Sequence, residues 1–308
     1  MRIFISGADG FVGSHLCEAL RDRGDDVTGL ALYNSFDNFG WLDEVEGVRK
    51  VRGDIRDAEQ MRGLIKGHEI VFHLAALVSV PDSYERPRSY VETNVGGTLN
   101  VLLAARDAGA KIVHASSSEV YGTAQYVPMD EKHPINPQSP YAASKAGADA
   151  LAKAFELSYG MPVVILRPFN TYGPRQSERA LIPSLIRQML DPSCETVQTG
   201  NLATKRDLMY VMDTAMAFIA AAGLDRGTFN AGAGRSFSGA AVARAIESAT
   251  GTLKPIMPDA KRFRPQASEV SHLECDASAF RWATGWKLEH TLDDGIANTV
   301  AWWRSRMP

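Results

Sequence analysis

Arg2-Ile3-Phe4-Ile5-Ser6-Gly7-Ala8-Asp9-Gly10-Phe11-Val12-Gly13 begins as an apolar run and ends in glycines at Gly-x-x-Gly-x-x-Gly spacing. Residues 2–6 read as a short strand, and 10–23 carry apolar side chains at helical spacing. A strand that turns into a helix over Gly7, Gly10 and Gly13 leaves the backbone bare where a pyrophosphate can approach. The helix N-terminus adds a dipole favourable to that charge. Phe11 and Val12 open the helix on the side of the expected dinucleotide.

Further strands are predicted at 26–30, 48–52, 70–74, 112–115 and 163–166, with helices at 58–65, 91–108 and 141–159 between them. Alternation at this spacing predicts an α/β fold, a doubly wound parallel sheet (Rossmann-type) with right-handed crossovers. Ligands of such sheets sit beyond the carboxyl ends of the strands. Gly7, Ala75, Ser117 and Asn170 all fall at such ends. From Gly173 onward the pattern turns proline-interrupted and less regular. The expected division is a dinucleotide-binding domain over 1–172 and a smaller α/β substrate-binding lobe over 173–308, with a strand near 228–231 returning to the first.

The chain has 308 residues, 45% hydrophobic, with a formal net charge of −3 and no long run of like charge. A full core is affordable, and nucleic acid or an anionic membrane is not expected as a partner. Cys17, Cys194 and Cys275 are far apart and lack metal-ligand spacing, so no metal site is expected. The first strand starts at residue 2 and no apolar stretch reaches a membrane span. Neither a signal peptide nor a membrane anchor is expected, and a cytoplasmic location is.

Tyr141 and Lys145 stand four apart in Ser139-Pro140-Tyr141-Ala142-Ala143-Ser144-Lys145, on one face of the predicted helix. An ammonium held there favours the phenolate and is expected to lower the tyrosine from its usual value of roughly 10. Such a tyrosine can take a proton from a sugar hydroxyl while a nicotinamide takes the hydride. Ser116-Ser117-Ser118-Glu119 follows a predicted strand upstream, as a second polar cluster; Ser116 reads as packing. His73 and His114 lie in apolar strands and read as satisfied core histidines. The end of the second strand, Leu30-Ala31-Leu32-Tyr33, offers neither an acid for a ribose 2′-hydroxyl nor an arginine for a 2′-phosphate. Asn34 and Ser35 suit either, and the missing cation favours NAD over NADP.

With these residues in view, the whole chain resembles an extended short-chain dehydrogenase/reductase acting on nucleotide sugars. It is most similar to the 4,6-dehydratases of amino-sugar and legionaminic-acid-type pathways. The likeness is carried by Ala31-Leu32-Tyr33-Asn34-Ser35-Phe36, Phe72-His73-Leu74-Ala75-Ala76-Leu77, Ser118-Glu119-Val120-Tyr121-Gly122-Thr123-Ala124-Gln125 and Arg167-Pro168-Phe169-Asn170-Thr171-Tyr172-Gly173-Pro174-Arg175-Gln176-Ser177.

The resemblance implies that Ser117 holds the substrate 4-hydroxyl beside Tyr141, where the family usually has threonine. Glu119 matches the dehydratase glutamate that removes the C5 proton. Ser118 replaces the aspartate acid of glucose-nucleotide dehydratases, as it does in GDP-mannose dehydratases and UDP-glucuronate decarboxylases. It further implies Asp54 and Ile55 at adenine, Leu74, Ala75 and Ala76 along the cofactor, and Asn94 near the catalytic lysine. Asn170, Arg179, Arg206 and Arg264 are then implied at the sugar-nucleotide diphosphate. The implied activity is an NDP-hexose 4,6-dehydratase, on NDP-N-acetylglucosamine, with internal hydride recycling. A 4-epimerase and a uronate decarboxylase share most of these residues, and a non-catalytic dinucleotide sensor is disfavoured by the presence of Tyr141 and Lys145. The helices at 91–108 and 141–159 carry small residues (Ala104, Ala105, Ala108; Ala143, Ala146, Ala150, Leu151, Ala154), which with the resemblance imply a homodimer.

Overall fold

A strand covered on both faces must be apolar throughout. β1 (Arg2–Ser6), β2 (Asp26–Ala31), β4 (Ile70–His73), β5 (Lys111–Ala115) and β6 (Val163–Pro168) meet that requirement, each with most of its residues buried. β3 (Arg49–Arg52), a more exposed strand, closes one edge of the sheet. In the computed structural model, which describes residues 1–263, 265 and 269–307, these strands pair in parallel. β10 (Gly227–Ala231) joins β6 as the seventh strand, giving the order β10-β6-β5-β4-β1-β2-β3.

The order reverses between β1 and β4, where doubly wound sheets open a crevice for ligand. Helices α1 (Phe11–Asp22) and α8 (Val211–Ala221) pack together on one face, burying Leu16, Leu20 and Phe218. α2 (Ala58–Ile65), α5 (Thr98–Ala108) and α6 (Pro140–Tyr159) cover the other, around Phe4, Ile55 and Phe155.

A smaller lobe is built from β7 (Asn170–Tyr172), β9 (Lys205–Tyr210) and β11 (Ser236–Ser238), in the order β11-β9-β7, and from the parallel pair β8 (Val197–Thr199) and β12 (Ile256–Pro258). Helices α7 (Leu181–Leu190), α9 (Gly239–Thr250) and α11 (Leu292–Arg304) bury Ile186, Ile246 and Val300 in its core. Short helices α3 (Val80–Glu85), α4 (Pro87–Tyr90) and α10 (Ser278–Thr284) complete the α-helices among the described residues.

The lobe is more regular than its prolines suggest. Pro183 falls in the first turn of α7, where a missing N–H is tolerated, and Pro192, Pro255 and Pro265 lie outside helices. The expected single helix at 91–108 also differs: Val91–Gly97 is a π-helical stretch that runs into α5. Asn94 sits inside that stretch and is almost wholly buried, so it is no helix cap.

Arg175 fixes the lobe to the main sheet. It adopts a left-handed backbone (φ 68°) and donates through both terminal nitrogens to Glu18 on α1, at 2.8 Å each. His15 reinforces the joint through Nε2, 3.1 Å from the Pro174 carbonyl oxygen.

Candidate active site

The glycine turn is crowded on one side and open on the other. Gly7 has φ 71°, and a Cβ there would lie 2.7 Å from the Ala75 nitrogen, so the turn after β1 and the Leu74–Ala75 segment can approach only with glycine in place. Gly10 is the N-cap of α1 and offers no side-chain cap, leaving the first-turn N–H groups uncapped by any side chain. A Cβ at Gly10 would meet only the Gly7 oxygen, at 3.3 Å. A bare, open helix N-terminus at the switch point fits the pyrophosphate of a dinucleotide. Asp9, unremarked in the sequence, ties this turn to the end of β2 by accepting the Leu32 N–H at 3.3 Å.

Beyond the ends of β2 and β3 the side chains are committed locally. Asn34 spans its own loop, donating to the Asn38 carbonyl oxygen at 3.0 Å and accepting from Phe36 N–H, and Ser35 is exposed beside it. Asp54 accepts from Arg56, which holds its carboxyl below the usual range, and Ile55 is buried. As expected, the end of β2 itself carries no arginine, but one approaches it from the neighbouring strand. Arg52, at the end of β3 and paired with Ala31, stacks on Phe39 at 4.3 Å and forms a 2.6 Å ion pair with Asp37. Sheet pairing, which is not a local property of sequence, brings it there.

Leu74, Ala75 and Ala76 leave β4 opposite the turn. Asn94 clamps the next residue: it accepts from Leu77 N–H at 2.8 Å and donates to the Leu77 oxygen at 2.9 Å. The same amide donates to Ser144 Oγ at 2.9 Å, immediately before Lys145. Asn94 thus fixes the post-β4 loop against α6.

Ser117 and Tyr141 meet across the carboxyl end of β5. Ser117 caps the 3-10 turn Ser118–Tyr121, accepting from Glu119 N–H at 3.2 Å, and stands close enough to Tyr141 to favour its phenolate. Ser118 is buried at the start of that turn. Lys145, one helical turn from Tyr141, donates to the Ala115 oxygen at 2.5 Å.

The expected lowering of the tyrosine is corrected for the chain's own groups. Burial, opposed by Ser117 and aided by the Glu119 charge, pushes Tyr141 up to about 12. Burial also pushes Lys145 down to about 8, opposed by Asp149. Among charges, that of Glu119, two residues after Ser117, acts on Tyr141 most strongly.

Behind Lys145 the structure shows a buried network that the sequence reading missed. Asp149 Oδ2 accepts from Ser116 Oγ at 2.7 Å and from Arg167 Nε at 3.1 Å, so Ser116 does more than pack. Arg167 continues to the Tyr121 hydroxyl at 2.9 Å, and Tyr121 to Asn230 at 2.7 Å. His73 is satisfied by Ser6 and Thr98, as expected of a core histidine. His114 is not: its Nε2 lies 3.3 Å from Asp149 Oδ1, too poorly aligned for a hydrogen bond. The spacing Tyr141-x3-Lys145-x3-Asp149, polar on a helix face that is otherwise apolar, was the available signal.

Beyond the sheet edge lies a cleft of about 570 Å³ between the main sheet and the lobe, lined by Asn170, Arg179, Arg206, Lys261 and Arg262 among others. Asn170 Oδ1 is buried there without a hydrogen-bond partner. Arg206 faces the cleft because its neighbour Asp207 turns inward, accepting from Ala233 and Gly234 N–H at 2.7 and 2.8 Å. Arg206 is shared with Glu269 at 3.6 Å. Several cations around one recess suit a diphosphate. Arg264 lies outside the described residues; Lys261 and Arg262, passed over in the sequence, line the cleft instead.

A seven-stranded parallel sheet, an open glycine turn and a Tyr-x-x-x-Lys pair at a strand end define a Rossmann-type protein of the short-chain dehydrogenase/reductase kind. Residues 4–299 match the family described as GDP-mannose 4,6 dehydratase. The UDP-glucose 4-epimerase of Mycolicibacterium smegmatis is 34% identical over 317 residues, covering 99% of each chain. The dTDP-glucose 4,6-dehydratase DesIV from Streptomyces venezuelae, solved with NAD bound, superposes with a TM-score of 0.91 at 30% identity, over 99% of this chain and 97% of that one. A UDP-N-acetylglucosamine 4-epimerase from Methanobrevibacter ruminantium superposes with a TM-score of 0.89 at 30% identity, over 99% of both. The chain belongs to the GDP-mannose 4,6-dehydratase family, within which dehydratases and epimerases are similarly related to it.

Proposed function

We propose that the protein is an NDP-hexose 4,6-dehydratase acting on NDP-N-acetylglucosamine. The observation that carries this reading is Glu119, on the turn that Ser117 caps, whose charge acts on Tyr141. An epimerase needs no base at C5, whereas a dehydratase does. NAD, which is bound in the DesIV structure, would be held here at the glycine turn, take the hydride from C4 and give it back at C6.

The chain's own residues would move the protons. Tyr141, steadied by Ser117, takes the 4-hydroxyl proton as the C4–H bond breaks. The resulting ketone acidifies the C5 proton, and Glu119 takes it as the C6–O bond breaks. Of the two protons removed, one leaves in the water and the other returns to C5. Ser118, buried at the start of the Glu119 turn, adjoins Glu119 in the proposed catalytic cluster. Gly7, Gly10, Phe11, Val12, Gly13, Asp54, Ile55 and Leu74–Ala76 would line the dinucleotide. Asn170, Arg179 and Arg206 would hold the diphosphate in the cleft, which divides substrate binding (173–308) from dinucleotide binding (1–172).

We further infer a cytoplasmic homodimer. Ala143, Ala150, Ala154 and Leu157 form an exposed stripe along one face of α6, flanked by exposed Leu99 on α5. Ala104 and Ala105, by contrast, are buried against the protomer's own sheet.

Purified protein incubated with a panel of NDP-sugars, with products weighed by mass spectrometry, tests the reading. Loss of water from NDP-N-acetylglucosamine is expected. No mass change with C4 inversion would replace the reading by epimerisation, and loss of carbon dioxide from an NDP-uronate by decarboxylation.

A further inference from the structure

Lys145 is deeply buried, and so are the groups that face it. His73 on β4 and His114 on β5 lie with ring centroids 5.5 Å apart, and each feels the Lys145 charge. Arg167 enters from β6, and Asp149 and Tyr141 lie one turn to either side of Lys145 on α6. Both histidines are driven toward the neutral form by burial. One buried carboxylate therefore serves two buried cations. It serves Arg167 by direct hydrogen bonds and Lys145 through space.

We propose that Asp149 is a positioning residue for Lys145: its buried carboxylate is the counter-charge that keeps the Nζ an ammonium beside Tyr141. Asp149 lies one helical turn from Lys145 and two from Tyr141, so its field acts more strongly on the lysine. In the proposed reaction Tyr141 and Lys145 act as one proton-bearing pair. The state able to accept a substrate proton is phenolate with ammonium; its tautomer, phenol with amine, is idle. Removing the Asp149 charge destabilises the ammonium more than it relieves the phenolate, and the pair shifts to the idle tautomer. The Arg167 bonds and Ser116 hold the carboxylate in place; they do not supply its effect on Lys145.

The proposal rests on Tyr141 and Lys145 being the catalytic pair, but its test reads the lysine without turnover. Full-length protein carrying 13Cε-labelled lysine is titrated by NMR, with the Lys145 resonance identified by its loss in Lys145→Met. Asp149→Asn should lower the Lys145 midpoint by on the order of one pH unit, and Asp149→Glu, which keeps the charge, should leave it in place. In Asp149→Asn, kcat at neutral pH should fall roughly tenfold or more with KM little changed. An unmoved midpoint overturns the proposal, whatever happens to activity. The wild type gives a check that needs no folded variant: its midpoint is expected near 8. A wild-type midpoint below about 7 would leave Lys145 neutral at working pH and overturn the proposal equally. An Asp149 effect on the midpoint without any on kcat would instead count against the catalytic pair.

Discussion

Lys145 Nζ donates to the carbonyl oxygen of Ala115 at 2.5 Å, joining the middle of the first half of α6 to the last residue of β5. Ser116 and Ser117 follow directly, so this bond sets the distance between the helix that carries Tyr141 and the strand end that carries Ser117. The geometry of the proposed catalytic residues is thereby fixed by a helix and a strand, the stiffest parts of the fold.

Tyr141→Phe should remove most of the activity and little of the stability. The ring stays packed with Val80 and Tyr90, and Ser117 keeps its bond to Glu119 N–H. General acid–base help is worth roughly 10²–10⁴-fold, so turnover of NDP-sugar should drop by that order with the melting temperature nearly unchanged. Turnover close to wild type would remove Tyr141 from the mechanism.

Lys145 should leave a mark on alkaline stability. The unfolded chain keeps that proton to about 10.4, whereas burial brings the folded value down to about 8. Between these limits the unfolded state binds more protons, so the Lys145 contribution is poorest below the folded value and improves as pH rises through the window. Lys145→Met has no such proton. The stability of wild type minus variant, measured by urea unfolding, should climb by on the order of 1.4 kcal/mol per pH unit in that window. A flat difference would mean that the buried amine is not depressed.

The α6 stripe predicts that the protein sediments as a dimer at micromolar concentration. Leu157, 71% exposed at the end of that stripe, is the position to charge. Leu157→Glu places a carboxylate in an apolar twofold contact and should yield monomers that retain the fold. Wild-type protein sedimenting as a monomer would dispose of the interface.

The parallel sheet was legible because its strands are short, apolar and bounded by glycine or polar turns, and β1 with its glycine turn needed only twelve residues. Tyr141, Ser117 and Glu119 could be found because each sits at a strand end or on a helical repeat. What depends on pairing between distant strands could not. Arg52 reaches the β2 end only through its register with Ala31, and Asp149 joins Arg167 across α6 and β6. The fate of the Tyr141 proton was misjudged for a related reason: spacing gives proximity to Lys145, but burial, a property of the whole fold, outweighs it. The π-helical turn at Asn94 has no propensity signature in the sequence; it follows from the grip of that amide on Leu77 and Ser144.

Glu119 separates the two activities found among the relatives, and Glu119→Gln is the change that asks the question most directly. Glutamine keeps the size of the side chain and its place on the turn that Ser117 caps, since the cap bond uses the backbone N–H. It removes the base, and with it a charge that raises Tyr141. In a dehydratase the first proton transfer should therefore proceed at least as readily as in the wild type, while removal of the C5 proton slows by roughly 10²-fold or more. Single-turnover experiments with NDP-N-acetylglucosamine should then show absorbance near 340 nm rising and persisting, with a 4-keto sugar that keeps its 6-hydroxyl. In an epimerase the variant should turn over almost normally, because no C5 proton moves. Water released at the wild-type rate would show that Glu119 is not the base, and the dehydratase mechanism built on it would have to be abandoned.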